Sequence, residues 1–253
     1  MKTLFQTAAV LLALVASVTA NAAIVKIDSG KFTSSAGFIT FSEKPIGTSN
    51  PVFNPADYGG LAGSPVVSFG SYFSGQGLGT ADTCPSGAAL TGCVVGTPAS
   101  YLSLATGTSG TFIARDLDNP DAPVLSGRPT FNGAVAILFD VDQSMVGLDG
   151  GYFNAIGGTA ITAYGRDGSL IGSVVNSSMG IEFLGLMTDD GSAKIAGLLF
   201  SLVGSEPAGF AIDNLRFSSD VQVKPPSDVP EPPSLALFAL ALAGVAYSRK
   251  RKA

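Results

Sequence analysis

Apolar and polar residues form short runs along the middle of the chain, and no strong helical period occurs before Leu235. The runs are rich in Val, Ile, Phe and Tyr and are separated by clusters of Gly, Asp, Ser and Pro, which is typical of an all-β protein. Residues 166–169 predict a tight hairpin turn, in which Gly168 supplies the positive φ that such turns need. The predicted strands are 37–41, 65–69, 110–114, 134–140, 159–164, 170–175, 181–187, 194–202 and 209–217.

Strands of this number and spacing favour a two-sheet antiparallel β-sandwich, with a barrel as the alternative. Residues 23–217 are interpreted as one domain, because about 200 residues supply one sizeable core.

The N-terminal residues 1–22 predict a secretory signal peptide. Lys2 precedes an unbroken apolar stretch and then small residues, the layout that export machinery and signal peptidase recognise. Cleavage before Ala23 and cleavage before Asn21 both fit. A retained N-terminal anchor is the alternative, although the stretch is short for a span of about 20 residues.

The C-terminal end repeats these features in reverse order. A polar, proline-rich stretch over 224–233 precedes an apolar, helix-forming run over 235–247 and the basic residues Arg249, Lys250, Arg251 and Lys252. Basic residues after an apolar segment hold that end on the cytoplasmic side of a membrane. The run is shorter than the usual span of about 17–25 residues. Transient association with the inner membrane is therefore expected, and a short stop-transfer tail is the alternative.

The motif at the start of this tail, Val229-Pro230-Glu231-Pro232, resembles the PEP-CTERM sorting signal of Gram-negative bacteria. The resemblance covers 229–253 and implies recognition by exosortase, a membrane cysteine protease-transpeptidase. It also implies a place at the cell surface or in the extracellular matrix, in association with exopolysaccharide or biofilm. Residues 218–228 are interpreted as a linker. Residues 161–173 and 209–217 resemble the closing half of jelly-roll domains, which implies a jelly-roll-like sandwich.

The charge of the chain limits the classes of partner that it is expected to bind. Only 13% of residues are charged, and 32 are Gly, which suits an extracellular protein. Without Lys2 and the four terminal basic residues, 14 − 5 = 9 Lys and Arg stand against 19 Asp and Glu. Binding to nucleic acid is not expected, because it needs concentrated positive charge.

The two cysteines, Cys84 and Cys93, predict a disulfide, since the destination is oxidising. The bond would stabilise a Gly- and Ala-rich loop by about 2–3 kcal/mol. A two-thiol metal site is the alternative, although the chain has no histidine to complete it.

The absence of histidine excludes Ser-His-Asp and Cys-His catalytic arrangements. Asp140, Asp142 and Glu182 are candidate carboxylates for glycoside hydrolysis, but their spacing identifies no acid/base pair. Enzymatic activity is therefore not expected.

A structural Ca²⁺ is the one cofactor hypothesis, with Glu43 and Asp213 as ligands. Asp213 lies two residues before Leu215 in the last predicted strand, so both are expected to point to the same face of the sheet. Glu43 is related in the same way to Phe41 at the end of the first predicted strand. The first and last strands are neighbours in many jelly rolls. Carboxylates converging at the rim of a sandwich would suit Ca²⁺. The alternative is that Asp213 and Asn214 only cap or bulge the final strand.

Two further groups of residues have a structural and a functional interpretation. Residues 116–121 superficially resemble a calcium loop but lack the EF-hand spacing, which favours a polar surface turn. Aromatic residues near strand ends would stack on sugar rings if exposed, although such residues more often lie in the core. These are Tyr72, Phe73, Tyr101, Tyr152 and Phe153.

The sequence thus predicts a non-catalytic exported protein that contributes to the exopolysaccharide layer by binding glycan. A purely structural or adhesive matrix protein and a carboxylate-dependent glycosidase are the alternatives.

Overall fold

The computed structural model describes residues 23–116, 123–208 and 210–219. Every strand pairing in these ranges is antiparallel. The strands are β1 (Ile24–Lys26), β2 (Gly37–Ile39), β3 (Val52–Phe53), β4 (Val67–Gly70), β5 (Gly77–Leu78), β6 (Val94–Val95), β7 (Thr111–Arg115), β8 (Pro123–Gly127), β9 (Val135–Gln143), β10 (Met145–Phe153), β11 (Thr159–Tyr164), β12 (Leu170–Val175), β13 (Gly180–Thr188), β14 (Ile195–Leu202) and β15 (Ala211–Ser218).

These strands form two large sheets and a small ribbon. The first sheet has the order β1-β13-β10-β15-β8-β7, and β2 also pairs with β15. The second sheet has the order β12-β11-β14-β9-β4-β3, and β5 pairs with β6 in the ribbon. Pairing of β2 with β15 places the first predicted strand beside the last, as the jelly-roll resemblance implies.

The two sheets pack face to face around one large apolar core. Val146 and Leu184 enter it from the first sheet, and Ile137 and Phe200 enter it from the second. Alternate residues of the strands point inward, and their apolar side chains form the two inner faces of a sandwich. The predicted antiparallel β-sandwich is confirmed.

The outer face of the second sheet is also partly covered. Phe73 and Leu102, from the segment between β4 and β7, pack there against Ala136, Tyr164 and Leu199. Strand β14 is consequently buried at every position. The predicted Cys84–Cys93 disulfide lies in the same segment and is confirmed.

All nine predicted segments contain a strand, and the predicted hairpin turn is present. Gly168 has φ 79°, and the Gly165 N–H donates to the Ser169 carbonyl over 2.9 Å. The long strand β10 was not predicted, because its glycines weaken the strand pattern. One of them, Gly147, is required by packing: a Cβ there would come within 2.3 Å of the Phe183 ring.

Both ends of the described chain leave from one end of the sandwich. The Asp189 N–H donates to the Ala23 carbonyl over 2.8 Å, and the Ser144 N–H donates to the Ser218 carbonyl over 2.9 Å. The Thr188 N–H joins the two contacts by donating to the Ser144 carbonyl over 3.0 Å. We call this end the terminal pole.

The predicted signal peptide 1–22, most of the linker 218–228 and the segment 229–253 with its apolar run lie outside the described residues. Strand β15 extends through Ser218, which the sequence analysis placed in the linker. In the described ranges, no helix is long and apolar enough to cross a membrane.

Candidate functional site

A cavity of about 360 Å³ opens beside β10 and β15, at the end of these strands remote from the terminal pole. Its lining combines apolar and acidic side chains. The apolar ones are Val124, Phe131, Tyr152, Ile181, Ala211 and Ile212, and the polar ones are Asp116, Asp149, Asp213 and Asn214.

A bulge in β15 directs Asp213 into this cavity. Asn214 has φ 50°, a left-handed conformation that Asn tolerates better than most residues. The pairing of β15 with β10 shifts register at the same place. Ile212 and Leu215 therefore both lie in the core, while Asp213 shares the face of its cross-strand partner Asp149. The prediction that Asp213 shares a face with Leu215 was wrong, because the bulge changes the phase of the strand.

Asp149 and Asp213 stand directly opposite each other on β10 and β15. Like charges in such a pair are destabilising. Arg216 relieves this repulsion only in part, since its Nη1 lies 3.9 Å from the Asp149 Oδ2.

Burial raises the pKa of Asp213 to about 6, and the nearby carboxylates of Asp149, Asp116 and Glu43 add to the shift. The Asn214 N–H opposes the shift by donating to Asp213 over 2.7 Å. The raised pKa thus reflects mainly the burial of Asp213, and the lining of the cavity also brings Asp116 and Asp149 close to it.

Glu43 lies close enough to Asp213 to affect its pKa. Its Oε1 accepts hydrogen bonds from the Thr40 N–H at 2.9 Å and the Thr40 hydroxyl at 3.0 Å. Its Oε2 is buried and has no hydrogen-bond partner among the described residues. These residues contain no group of three or more His, Cys, Asp or Glu side chains suited to a metal ion. The calcium site at Glu43 and Asp213 stays a prediction.

Tyr152 is the exposed aromatic residue of the cavity. Its side chain is 60% exposed, and it follows a cis peptide bond with Gly151. Tyr101 is also exposed but does not line the cavity. By contrast, Phe73 and Phe153 are buried in the core and Tyr72 is half-buried. Of the five aromatic candidates, the structure brings only Tyr152 to the cavity.

Glu206 fixes the turn that follows β10, and no pattern in the sequence pointed to it. Its side chain is fully buried. It accepts hydrogen bonds from the Asn154 N–H at 3.0 Å, the Asn154 amide at 3.0 Å and the Ala155 N–H at 3.1 Å. The loop before β15 is thereby tied to the end of β10.

The carboxylates proposed for hydrolysis lie elsewhere and bind protein groups. Asp140 accepts a hydrogen bond from the Val66 N–H over 2.7 Å, and Asp142 accepts one from the Arg166 Nε over 3.1 Å. Both residues belong to β9 in the second sheet, on the sheet opposite the cavity.

Glu182 lies on β13 in the first sheet. Burial alone would raise its pKa, but hydrogen bonds from Ser177, Ser178 and Lys26 outweigh it and lower the pKa to about 2. This carboxylate therefore has a structural role, as an ionised acceptor of hydrogen bonds within the protein. Of the loop 116–121, only Asp116 lies within the described residues.

Comparison with known proteins gives one family match. The PEP-CTERM protein-sorting motif matches residues 228–252, a range that includes the predicted sorting residues Val229, Pro230, Glu231 and Pro232. No curated protein gives a significant match to the chain.

Proposed function

We propose that the sandwich of this protein, whose PEP-CTERM motif indicates export, recognition by exosortase and targeting to the cell surface, binds glycan. The proposed setting is the exopolysaccharide layer or biofilm matrix of a Gram-negative bacterium, and the proposed role is non-catalytic. The observation that carries the proposal is the cavity that presents exposed Tyr152 beside Asp149 and Asp213.

The lining of the cavity suits a sugar ring. A tyrosine ring offers an apolar face to the C–H groups of a sugar, and carboxylates accept hydrogen bonds from its hydroxyl groups. The volume of about 360 Å³ lies in the lower part of the roughly 300–1,000 Å³ range of small-molecule sites. One or two sugar units of a longer chain are the expected occupants.

The position of the cavity supports a role in the matrix. Strand β10 runs from Met145 at the terminal pole to Tyr152 at the cavity, a rise of about 23 Å for seven residues. Both ends of the described part of the chain leave from the terminal pole. A protein held by its C-terminal tail would therefore present the cavity away from its point of attachment.

A glycosidase is the second candidate, because Asp213 has a raised pKa and faces Asp149. Glycosidases place two carboxyl groups on either side of the scissile bond. Here the two carboxyl groups stand opposite each other on neighbouring strands of one sheet, and an assay for hydrolysis separates this candidate from binding.

A glycan array tests the proposal, with the exported protein purified in its processed form. We expect binding to at least one polysaccharide fragment, and Tyr152→Ala should weaken it by about tenfold or more through loss of stacking. Tyr101→Ala is the matched control, because Tyr101 is equally exposed but outside the cavity. Absence of binding across the array would favour a purely structural or adhesive protein. Release of reducing ends would identify a glycosidase.

The processing step has a separate test. Mass spectrometry of the protein from its producing cells should find a C-terminus within 230–234. An intact Ala253 would contradict removal of the tail.

A structural Ca²⁺ at Glu43 and Asp213 is a further proposal. It is supported by the buried, unpartnered Oε2 of Glu43 and by the proximity of the two carboxylates. A hard cation with oxygen ligands would satisfy the Glu43 Oε2 and would contact Asp213 only while no cationic ligand occupies the cavity.

A further inference from the structure

The charge of the cavity points to a class of sugar, an inference that rests on the proposed glycan-binding function. We propose that the cavity selects an amino sugar with a free, protonated amine over neutral and acidic sugars. The ammonium group would lie between the carboxylates of Asp149 and Asp213, and the sugar ring would lie against Tyr152.

Asp213 needs a cation that the described part of the protein does not supply. No Lys or Arg in that part lies within ion-pair distance of its carboxylate. Its hydrogen bonds come from the backbone and side chain of its neighbour Asn214, at 2.7 and 3.2 Å. A half-buried carboxylate with only local, neutral donors is costly to keep ionised. The ammonium of a ligand would remove that cost.

Among the described residues, Arg216 is the one cation within ion-pair distance of either carboxylate, and other groups hold it in place. Its Nη1 donates to the Asn214 carbonyl over 3.1 Å. Its guanidinium lies over the rings of Phe38 and Phe183, at 4.7 and 5.6 Å from their centroids. Turning towards Asp213 would break these contacts. The guanidinium therefore partly neutralises Asp149 and leaves Asp213 to the ligand.

The apolar wall of the cavity strengthens the preference for a cation attached to a ring. The exposed face of Tyr152 attracts an ammonium group through its π electrons and also packs against sugar C–H groups. Ile181, which is 69% exposed, extends this apolar surface at the cavity. A free metal ion would use the carboxylates but would gain nothing from this wall. An acidic sugar would be repelled by both carboxylates.

Three probes of equal length test the selection: glucosamine oligomers, N-acetylglucosamine oligomers and galacturonate oligomers. The first two share a backbone and differ in whether the amine is free or acetylated. Calorimetry with the processed protein should give at least about tenfold tighter binding of glucosamine than of N-acetylglucosamine, and no measurable binding of galacturonate. Asp213→Asn and Asp149→Asn should each reduce this ratio by about tenfold. Asp82→Asn, at an exposed carboxylate outside the cavity, should leave it unchanged.

The outcomes separate this inference from the proposed function. Tyr152-dependent binding with equal affinity for the first two probes would overturn the amine selection and leave glycan binding in place. Galacturonate binding that appears only with added Ca²⁺ would overturn it in favour of a calcium-bridged acidic sugar. A failure of all three probes and of the wider array would overturn both. Equal melting temperatures of the variants and the wild type would show that any loss of binding is local.

Discussion

Replacing Glu206 with alanine tests whether one buried carboxylate holds the end of β10 in place. The side chain is fully buried and accepts hydrogen bonds from the backbone N–H groups of Asn154 and Ala155 and from the Asn154 amide. A lost hydrogen bond to a charged group costs about 1.5–3 kcal/mol, and water that enters the vacated space would recover part of it. We therefore expect Glu206→Ala to lower the free energy of unfolding by about 2–4 kcal/mol.

Glu206→Gln is the graded variant, because it keeps one acceptor oxygen and nearly the same volume. It should cost about 1–2 kcal/mol, since its amide group cannot accept from the donors that face it. Urea unfolding followed by far-UV circular dichroism provides the measurement. The chain has no tryptophan, so its intrinsic fluorescence is a weaker probe.

Asp82→Ala is the surface control for this series and should change stability by less than about 0.5 kcal/mol. If Glu206→Ala unfolds at the same urea concentration as this control, the buried hydrogen bonds contribute nothing net and the reasoning is refuted. If the alanine and glutamine variants lose equal stability, the charge of Glu206 matters and the number of its acceptors does not.

Three other predictions concern stability and cation binding. Replacing Cys84 and Cys93 with serine should cost about 2–3 kcal/mol in urea unfolding, and reduction of the wild type should give the same loss; an unchanged midpoint would contradict the loop-closure argument. The pKa of Glu182 is lowered from 4.5 to about 2. The ionised carboxylate therefore stabilises the folded protein above its ordinary pKa, and this contribution is lost as the pH falls towards 2. Glu182→Gln should accordingly be less stable than the wild type by about 1–3 kcal/mol at neutral pH, and the difference should vanish near pH 2; a difference that is constant with pH would refute the assignment. Titration of Ca²⁺ into the EDTA-treated protein should release or absorb heat and raise the melting temperature, and Glu43→Gln or Asp213→Asn should abolish both effects; no heat and no shift in the wild type would reject the site.

The strands that were predicted from the sequence are those whose own residues are typical of a strand. Segments such as β11 and β12 are short runs of mostly apolar residues joined by a turn at Gly168, so their signal is local. Strand β10 lacks this pattern. Its glycines are favoured by close neighbours on β13, such as Phe183 beside Gly147, and such neighbours cannot be read from β10 alone.

The cavity depended even more on contacts between distant segments. Asp149 gave no signal of its own, because its importance comes from standing opposite Asp213 on another strand. The parity argument for Asp213 failed because the left-handed Asn214 shifts the phase of β15. Glu206 was missed for a similar reason, since the groups that bind it lie on the turn after β10.

The order of residues along the chain was enough to predict the PEP-CTERM sorting motif, the all-β class and the disulfide of this protein. These features follow from the order of residues along the chain: a sorting enzyme reads a linear motif, and a strand expresses a period of two. Contacts between distant segments set which carboxylates meet, which tyrosine is exposed beside them and at which end of the sandwich the cavity opens. Those properties arise from pairing β10 with β15, and the bulge that sets the direction of Asp213 exists only within that pairing.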